Sequence, residues 1–392
     1  MKNRSNISYL IVLLASSLFL FYGCPDKKPC PTCPPDDKPT NCTFPPGNRN
    51  FTWRLDTVAW FPSTLGGVHA FSDSDAYAMG NIFQIVNGVS KGFIGLRWNG
   101  LKWETNINGT VAEIQHVAND VTGDDHFMVS VGNWSITPPK PGLGEFNNNI
   151  KKWKGYQFEN QGELRSVWTD GNGYFIAVGD NGMVYTKDGY TSNWFYQKEP
   201  TEFNLYRLTG VSKDEIYTSG YLNLVTGEHY YQGWKYYKNT WIKLYDTKDT
   251  SNTPLSLVSS DYPGGIGVSR CNITDSLKFY VIGDQSYLFE SVGQVLEFKK
   301  KNLADLGLIL KALGRTGVGI NLFSPNDYWV IGTRYNFFHW NGSNFEWMDI
   351  TGLPNDDMQY GWQCRFIKTK TGKIFVPSEV SSQVYVIVQG NP

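Results

Sequence analysis

Four arginines recur at one point of a repeating pattern. Arg165 in Leu164-Arg165-Ser166-Val167, Arg207 in Tyr206-Arg207-Leu208, Arg270 in Ser269-Arg270-Cys271 and Arg365 in Cys364-Arg365-Phe366 each stand at or just before the first β-type run of a repeat. His69 and Gln115 hold comparable places earlier in the chain. A guanidinium fork matches carboxylates and phosphates. If these groups converge, they form an anion- or carboxylate-binding mouth; if they do not, each pairs locally with carbonyls and acids. No reaction is legible. An arginine triad that clamps a substrate carboxylate needs a tyrosine nucleophile with an acidic partner, and no repeat carries that set in distinction from its siblings. A carboxylate pair for glycoside hydrolysis is defined by distance, so sequence leaves it open. The histidines, at 69, 116, 126, 229 and 339, show no HxxxH or HxH spacing. Asp170-Gly171-Asn172-Gly173 begins like a calcium loop but reaches Asn181 where the bidentate Glu belongs. No catalytic residue, metal or cofactor is expected.

Cysteines fall at 24, 30, 33, 42, 271 and 364. Cys30-Pro31-Thr32-Cys33 is a CxxC, but a redox pair should open a helix in a βαβ context and this one lies between prolines. A zinc site needs two more ligands nearby, and only Cys42 is available. The expectation is an exposed segment with optional disulfides; pairing of Cys271 with Cys364 stays open.

The elements around these residues begin with an address. Lys2 and Arg4 precede the apolar run Tyr9–Phe21, which is shorter than the ~20 residues of a membrane span and stops at Tyr22-Gly23-Cys24-Pro25. This ending resembles a bacterial lipobox, with Phe21 where that family usually has Leu. The resemblance implies a signal peptide over 1–23, acylation of Cys24, and an extracytoplasmic place in the bacterial cell envelope, anchored to a membrane by lipid. Residues 24–48 are dense in proline and read as an extended tether, at ~3.1 Å per residue.

The formal charge is −1, which argues against a nucleic-acid partner. Aromatic residues make up 15%, with 40 glycines, an all-β composition of short strands and turns. Runs ending in Gly80, Gly132, Gly179, Gly220, Gly283 and Gly332 are spaced by 52, 47, 41, 63 and 49 residues. Those ending in Gly80, Gly179 and Gly332 lead to an Asn-Gly or Asp-Gly turn and a Trp, as in Trp98-Asn99-Gly100-Leu101-Lys102-Trp103 and Trp340-Asn341-Gly342. That period predicts a single β-propeller over 49–392 with seven blades of four antiparallel strands. The last blade has no Trp of its own. Phe51–Leu55 is expected to complete it, closing the ring with strands from both chain ends.

The stretch Ala177-Val178-Gly179-Asp180-Asn181-Gly182 through Asp188-Gly189 and Trp194 resembles the repeat of photosystem II assembly-factor-like propellers. It is also similar to Asp-box (BNR, sortilin-like) propellers. The architecture hosts many functions, so no catalytic residue is carried over. The expected role is a binding or scaffold module for a protein or envelope component. The alternative is a glycan-binding or glycoside-hydrolase-like propeller. Trp134–Asn149, Tyr221–Tyr236 and Asp246–Gly265 read as long insertions, and Leu303–Leu313 as a short helix.

Overall fold

The structure is a computed structural model. It describes residues 45–105, 117–136, 138–198, 201–223, 229–237, 240–246, 265–271, 276–282, 287–292, 299–302, 319–331, 337–348, 367–381 and 384–392. Cys24, the apolar run before it, the CxxC, Gln115, the expected helix over 303–313, Cys364 and Arg365 lie outside the described residues.

Four antiparallel strands are the unit. Blade two is Val117–Gly123, Phe127–Ile136, Pro139–Asn147 and Lys152–Gln157, and blade three is Leu164–Thr169, Tyr174–Gly179, Met183–Asp188 and Phe195–Lys198. Blade four is Asn204–Ser212, Glu215–Asn223, His229–Tyr237 and Thr240–Asp246. Blade five is Gly265–Cys271, Ser276–Ile282, Tyr287–Val292 and Lys299–Asn302; blade six is Gly319–Ser324, Asp327–Ile331, Phe337–Trp340 and Phe345–Met348. The remaining sheet has seven strands and contains two blades, because Thr52–Ser72 runs unbroken for 21 residues. Its first half pairs with Val384–Asn391, from Thr52↔Asn391 to Trp60↔Val384, outside Ile374–Ser381 and Ile367–Lys368. That completes blade seven. Its second half pairs with Asp75–Val86 as the inner strand of blade one, followed by Val89–Trp98 and Trp103–Glu104. The ring is a seven-bladed propeller closed by both chain ends, and the closing strand is longer than the sequence suggested.

Two segments expected as insertions are strand over most of their described residues. Residues 134–136 and 139–147, and 221–223 and 229–236, belong to the second and third strands of blades two and four. The third expected insertion, between Asp246 and Gly265, lies outside the described residues. The prolines of the first sit where the ladder begins, with Pro139 opposite Ile136 and Pro141 opposite Asn133. Residues at the expected end of the tether touch the propeller. Gly47 N donates to Asn326 O, and Arg49 binds His339 O, Asn344 O and Glu346, so both residues dock on blade six.

The repeated glycine has a steric cause. A Cβ on Gly80, Gly179 or Gly220 would come within 2.0, 2.0 and 2.5 Å of the carbonyl oxygens of Thr64, Glu163 and Asn204. Each carbonyl belongs to the residue just before the glycine's partner on the inner strand: Leu65, Leu164 and Leu205. Only glycine allows that approach.

Blades one, four and six share a second device. An acid opens the second strand after a two-residue turn from a serine: Ser72↔Asp75, Ser212↔Glu215, Ser324↔Asp327. The acid holds a basic side chain from the third strand of its own blade: Arg97 at 2.9 Å, Lys235 at 3.0 Å and the His339 ring at 2.8 Å. It also holds one from the next blade: Lys151, Arg270 and Lys368. The own-blade group lies over the aromatic two residues after the acid, Tyr77, Tyr217 or Trp329. Glu145 joins blades two and three in a different way, accepting from Lys187 Nζ, Trp194 Nε1 and Tyr156 OH. Apolar packing fills the rest of each seam. Trp98 of blade one packs with Phe375 of blade seven.

Candidate ligand-binding face

The strand order makes the two ends of the ring chemically different. Inner strands neighbour one another in sequence order around the ring, and all run the same way. We call the end where they begin the upper face. The lower face carries the short serine-to-acid turns and tight third-to-fourth-strand turns such as Asn99–Lys102. The upper face carries the second-to-third-strand hairpins and the connections between blades. In blade one the hairpin reaches Asn87-Gly88, whose φ values of 54° and 75° suit a tight primed turn. Longer hairpins and connections place ligand chemistry on the upper face.

At the upper end four consecutive inner strands bulge at one place. In each, the residue after the apolar partner of the glycine has no partner of its own: Gly66, Asn119, Arg165 and Tyr206. A bulge re-aims its side chain, and here the same backbone device presents four different residues. Three of them join into a polar and aromatic arc. Asn119 Nδ2 donates to Glu163 Oε2 at 3.1 Å, and Asn133 Nδ2 donates to the other oxygen. Arg165 binds Asp180 at 2.5 Å and stands 3.6 Å from Glu163. Its guanidinium lies 4.5 Å from the centre of the Tyr206 ring. Tyr206 stacks on Tyr221, and their hydroxyls meet at 2.7 Å. Burial opposes the Arg165 charge, but the hydrogen bond it donates to Asp180, together with the nearby charges of Asp180 and Glu163, outweighs burial and raises its pKa. Burial pushes the Tyr206 hydroxyl far above the usual phenol range, so it stays a neutral donor. The arc can hold a carboxylate or carbonyl at Arg165 and stack a flat group beside the tyrosines.

Among the described residues, Arg165, Arg207, Arg270 and His69 do not form one mouth. Arg165 sits on the upper bulge, and Arg207 is the half-buried residue after the next bulge, opposite Ser219. Arg270 lies opposite Leu277, next to the lower turn, where Glu215 holds it. His69 also lies near the lower end, opposite Tyr77, buried against Phe71 with Nε2 3.2 Å from the Asp124 carbonyl. The cause is position along the inner strand: Arg165 is the second residue of Leu164–Thr169, whereas Arg270 comes five residues after Gly265, the first of its described strand. Asp170 holds its own turn, with Oδ1 accepting from the amides of Asn172 and Tyr174. The sequence reading missed Asn119, Glu163, Asp180, Tyr206 and Tyr221. Aligning the repeats on Leu65, Ala118, Leu164 and Leu205 would have found the bulge positions.

No protein-family model matches the sequence, and no curated protein does. Solved structures match across nearly the whole chain. YCF48 bound to D1 peptide is 14% identical with a TM-score of 0.55, the match covering 88% of this chain and 96% of that one. YCF48 from Cyanidioschyzon merolae is 12% identical with a TM-score of 0.52, covering 87% and 99%. The WD40 propeller domain of Doa1 is 11% identical with a TM-score of 0.51, covering 86% and 97%. The likeness is one of fold. It is shared with both YCF48 structures and with a WD40 propeller domain.

Proposed function

We propose that this propeller is a binding and scaffold module that holds a segment of another polypeptide on its upper face. The arc Asn119–Arg165–Tyr206 carries the reading: one bulge position in consecutive blades, filled by an amide, a guanidinium and a phenol. Amides and guanidinium groups recognise peptide carbonyls and carboxylates, and the tyrosine pair offers a stacking surface at little entropic cost. The solved YCF48 complex supports it as a propeller of this architecture with a bound peptide. We further propose that Cys24 carries diacylglycerol and holds the domain at an extracytoplasmic membrane surface of the bacterial envelope. Mass spectrometry of the mature N-terminus tests the anchor; cleavage elsewhere, or an unmodified Cys24, rejects it.

The binding test places a photo-crosslinking residue at Tyr221 on the upper face and, separately, at Lys213 on the lower. Crosslinks to protein from position 221 alone support the reading. Crosslinks from 213 alone, or capture on a glycan array with no protein adduct, overturn it.

A further inference from the structure

Arg165 stands between two acids. Its Nε lies 2.5 Å from Asp180 Oδ1, and its Nη1 lies 3.6 Å from Glu163 Oε2. Among the described residues, no other cation pairs with either carboxylate. Two carboxylates against one guanidinium leave an excess of one negative charge. The other groups of the arc, the amides of Asn119 and Asn133 and the tyrosine pair, do not offset it.

The excess sits on Glu163. Asp180 is fully engaged, with Oδ1 on Arg165 and Oδ2 accepting from the Glu163 amide at 3.0 Å. Glu163 is held more loosely. It accepts from Asn119 Nδ2 at 3.1 Å and from Asn133 Nδ2 at 3.4 Å, and the guanidinium stays at the longer 3.6 Å. Its side chain is 26% exposed against 14% for Asp180, so Glu163 is the acid a ligand can reach. A carboxylate offers about four acceptor sites, so room for a donor remains. Asn133 adds an acceptor on the same amide that touches Glu163: its Oδ1 is buried and accepts from no donor among the described residues. An under-neutralised carboxylate beside an orphaned acceptor suits a positively charged N–H donor. The carboxylate also stands on a rigid base. The Asp180 amide donates to the Glu163 carbonyl at 3.0 Å, the Glu163 amide returns the bond to the Asp180 side chain, and Asn119 Nδ2 reaches the Leu164 carbonyl at 2.9 Å. Little ordering is left to be done when a ligand arrives.

We propose that the polypeptide segment held by this arc presents a basic side chain, lysine or arginine, to Glu163 and Asn133, while a backbone carbonyl of the segment meets Arg165. The inference rests on the polypeptide-binding reading and names the residue type that the site selects. Of the two groups that fit a guanidinium, charge selects the carbonyl. A ligand carboxylate would bring a third negative charge to an arginine already flanked by two, and like charges placed together across an interface suppress the wrong partner.

The test uses the full chain with the photo-crosslinking residue at position 221 and four pools of heptapeptides, acetylated and amidated so that their ends carry no charge. The pools share uncharged residues at the flanking positions and hold lysine, arginine, glutamate or glutamine at the centre. Adduct yield at limiting peptide ranks them. We expect the lysine and arginine pools to exceed the glutamate pool by roughly tenfold, with glutamine between. Raised salt should narrow that gap with no further substitution in the chain. Glu163→Gln, checked for an unchanged thermal midpoint, should remove most of the gap, whereas Arg165→Gln should keep or widen it. A glutamate pool that equals or beats the basic pools, a gap indifferent to salt, or a gap that survives Glu163→Gln overturns the inference. Adducts from every pool without charge preference reject the basic residue alone and leave the polypeptide reading standing. No adduct from any pool at position 221 overturns both.

Discussion

Arg270 closes two hydrogen bonds on Glu215, Nε to Oε2 at 2.8 Å and Nη2 to Oε1 at 2.5 Å, across the seam between blades four and five. Both side chains are more than nine-tenths buried, and Lys235 and Tyr217 complete the shell of the carboxylate. This arginine therefore holds blades together. Removing one partner of a buried pair leaves the other charged and unpaired, so Arg270→Ala should cost about 3–5 kcal/mol in denaturant unfolding. Arg270→Lys keeps the charge but loses the two-point fit and should cost less. The double variant Glu215→Gln with Arg270→Met should recover much of the loss; strict additivity would show that the pair is not coupled.

Acid should destabilise the ring in two windows. His69 is fully buried, and burial lowers its pKa to about 4 against the opposing hydrogen bond to the Asp124 carbonyl. The unfolded chain takes up that proton near 6.5 and the folded chain only near 4. Stability is thus full above the upper value and falls as pH drops between them, by about 3 kcal/mol in all. Glu215 and Asp327 act lower. Burial opposes their charge, but hydrogen bonds from Arg270, Tyr217 and Lys235 to the first, and from His339 and Lys368 to the second, outweigh it and depress both pKa values. Their contribution is present above the unfolded carboxylate range and is lost as pH falls through the folded values. His69→Gln should flatten the upper window alone. An unchanged pH profile in that variant would reject His69 as its source.

Gly179→Ala and Gly92→Ala should behave in opposite ways. At 179 the new Cβ would meet the Glu163 carbonyl at 2.0 Å, beside the Arg165 bulge. A loss of about 1–3 kcal/mol is expected, with weaker binding at Arg165. At 92 the contact is ordinary, and alanine should be neutral or stabilising by about 0.5–1 kcal/mol. Equal thermal midpoints for the two variants would contradict the steric account.

Truncation from the N-terminus should show steps. Removal of residues 1–46 leaves every described ladder bond in place and should not move the thermal midpoint. Removal through Asn50 loses the Arg49 contacts to His339, Asn344 and Glu346 and should lower it modestly. Removal through Trp60 strips the outer strand from blade seven, exposes an edge and should prevent cooperative unfolding. A smooth decline across the three lengths would argue against strand closure.

Much of the architecture was legible because its signals are local and repeat. Gly80, Gly179 and Gly220 mark one steric event in separate blades, so one unit read correctly counted the others. The missing strand of the last blade, beside a Trp-containing segment at residue 53, pointed to closure. The second-to-third-strand hairpin at Trp134–Asn149 was misread because Pro-Pro-Lys-Pro-Gly looks like loop, whereas Pro139–Gly142 already belong to the ladder, beyond the reach of periodicity.

The site divides in the same way. The sequence by itself determined that the chain is all-β, that it repeats at a propeller period, and that both termini supply one blade, since composition and turn chemistry act over a few residues. Only the tertiary structure decided which groups meet. Arg165 stands second in its inner strand and so at the upper end beside Tyr206, whereas Arg270 stands sixth in Gly265–Cys271 and so at the lower turn on Glu215. The bulge at Arg165 adds a second effect: strand side chains alternate every residue, so one inserted residue re-aims the side chain. The carbonyl contact that forces the bulge joins residues up to 16 positions apart, such as Thr64 and Gly80, and exists only once the strands have paired.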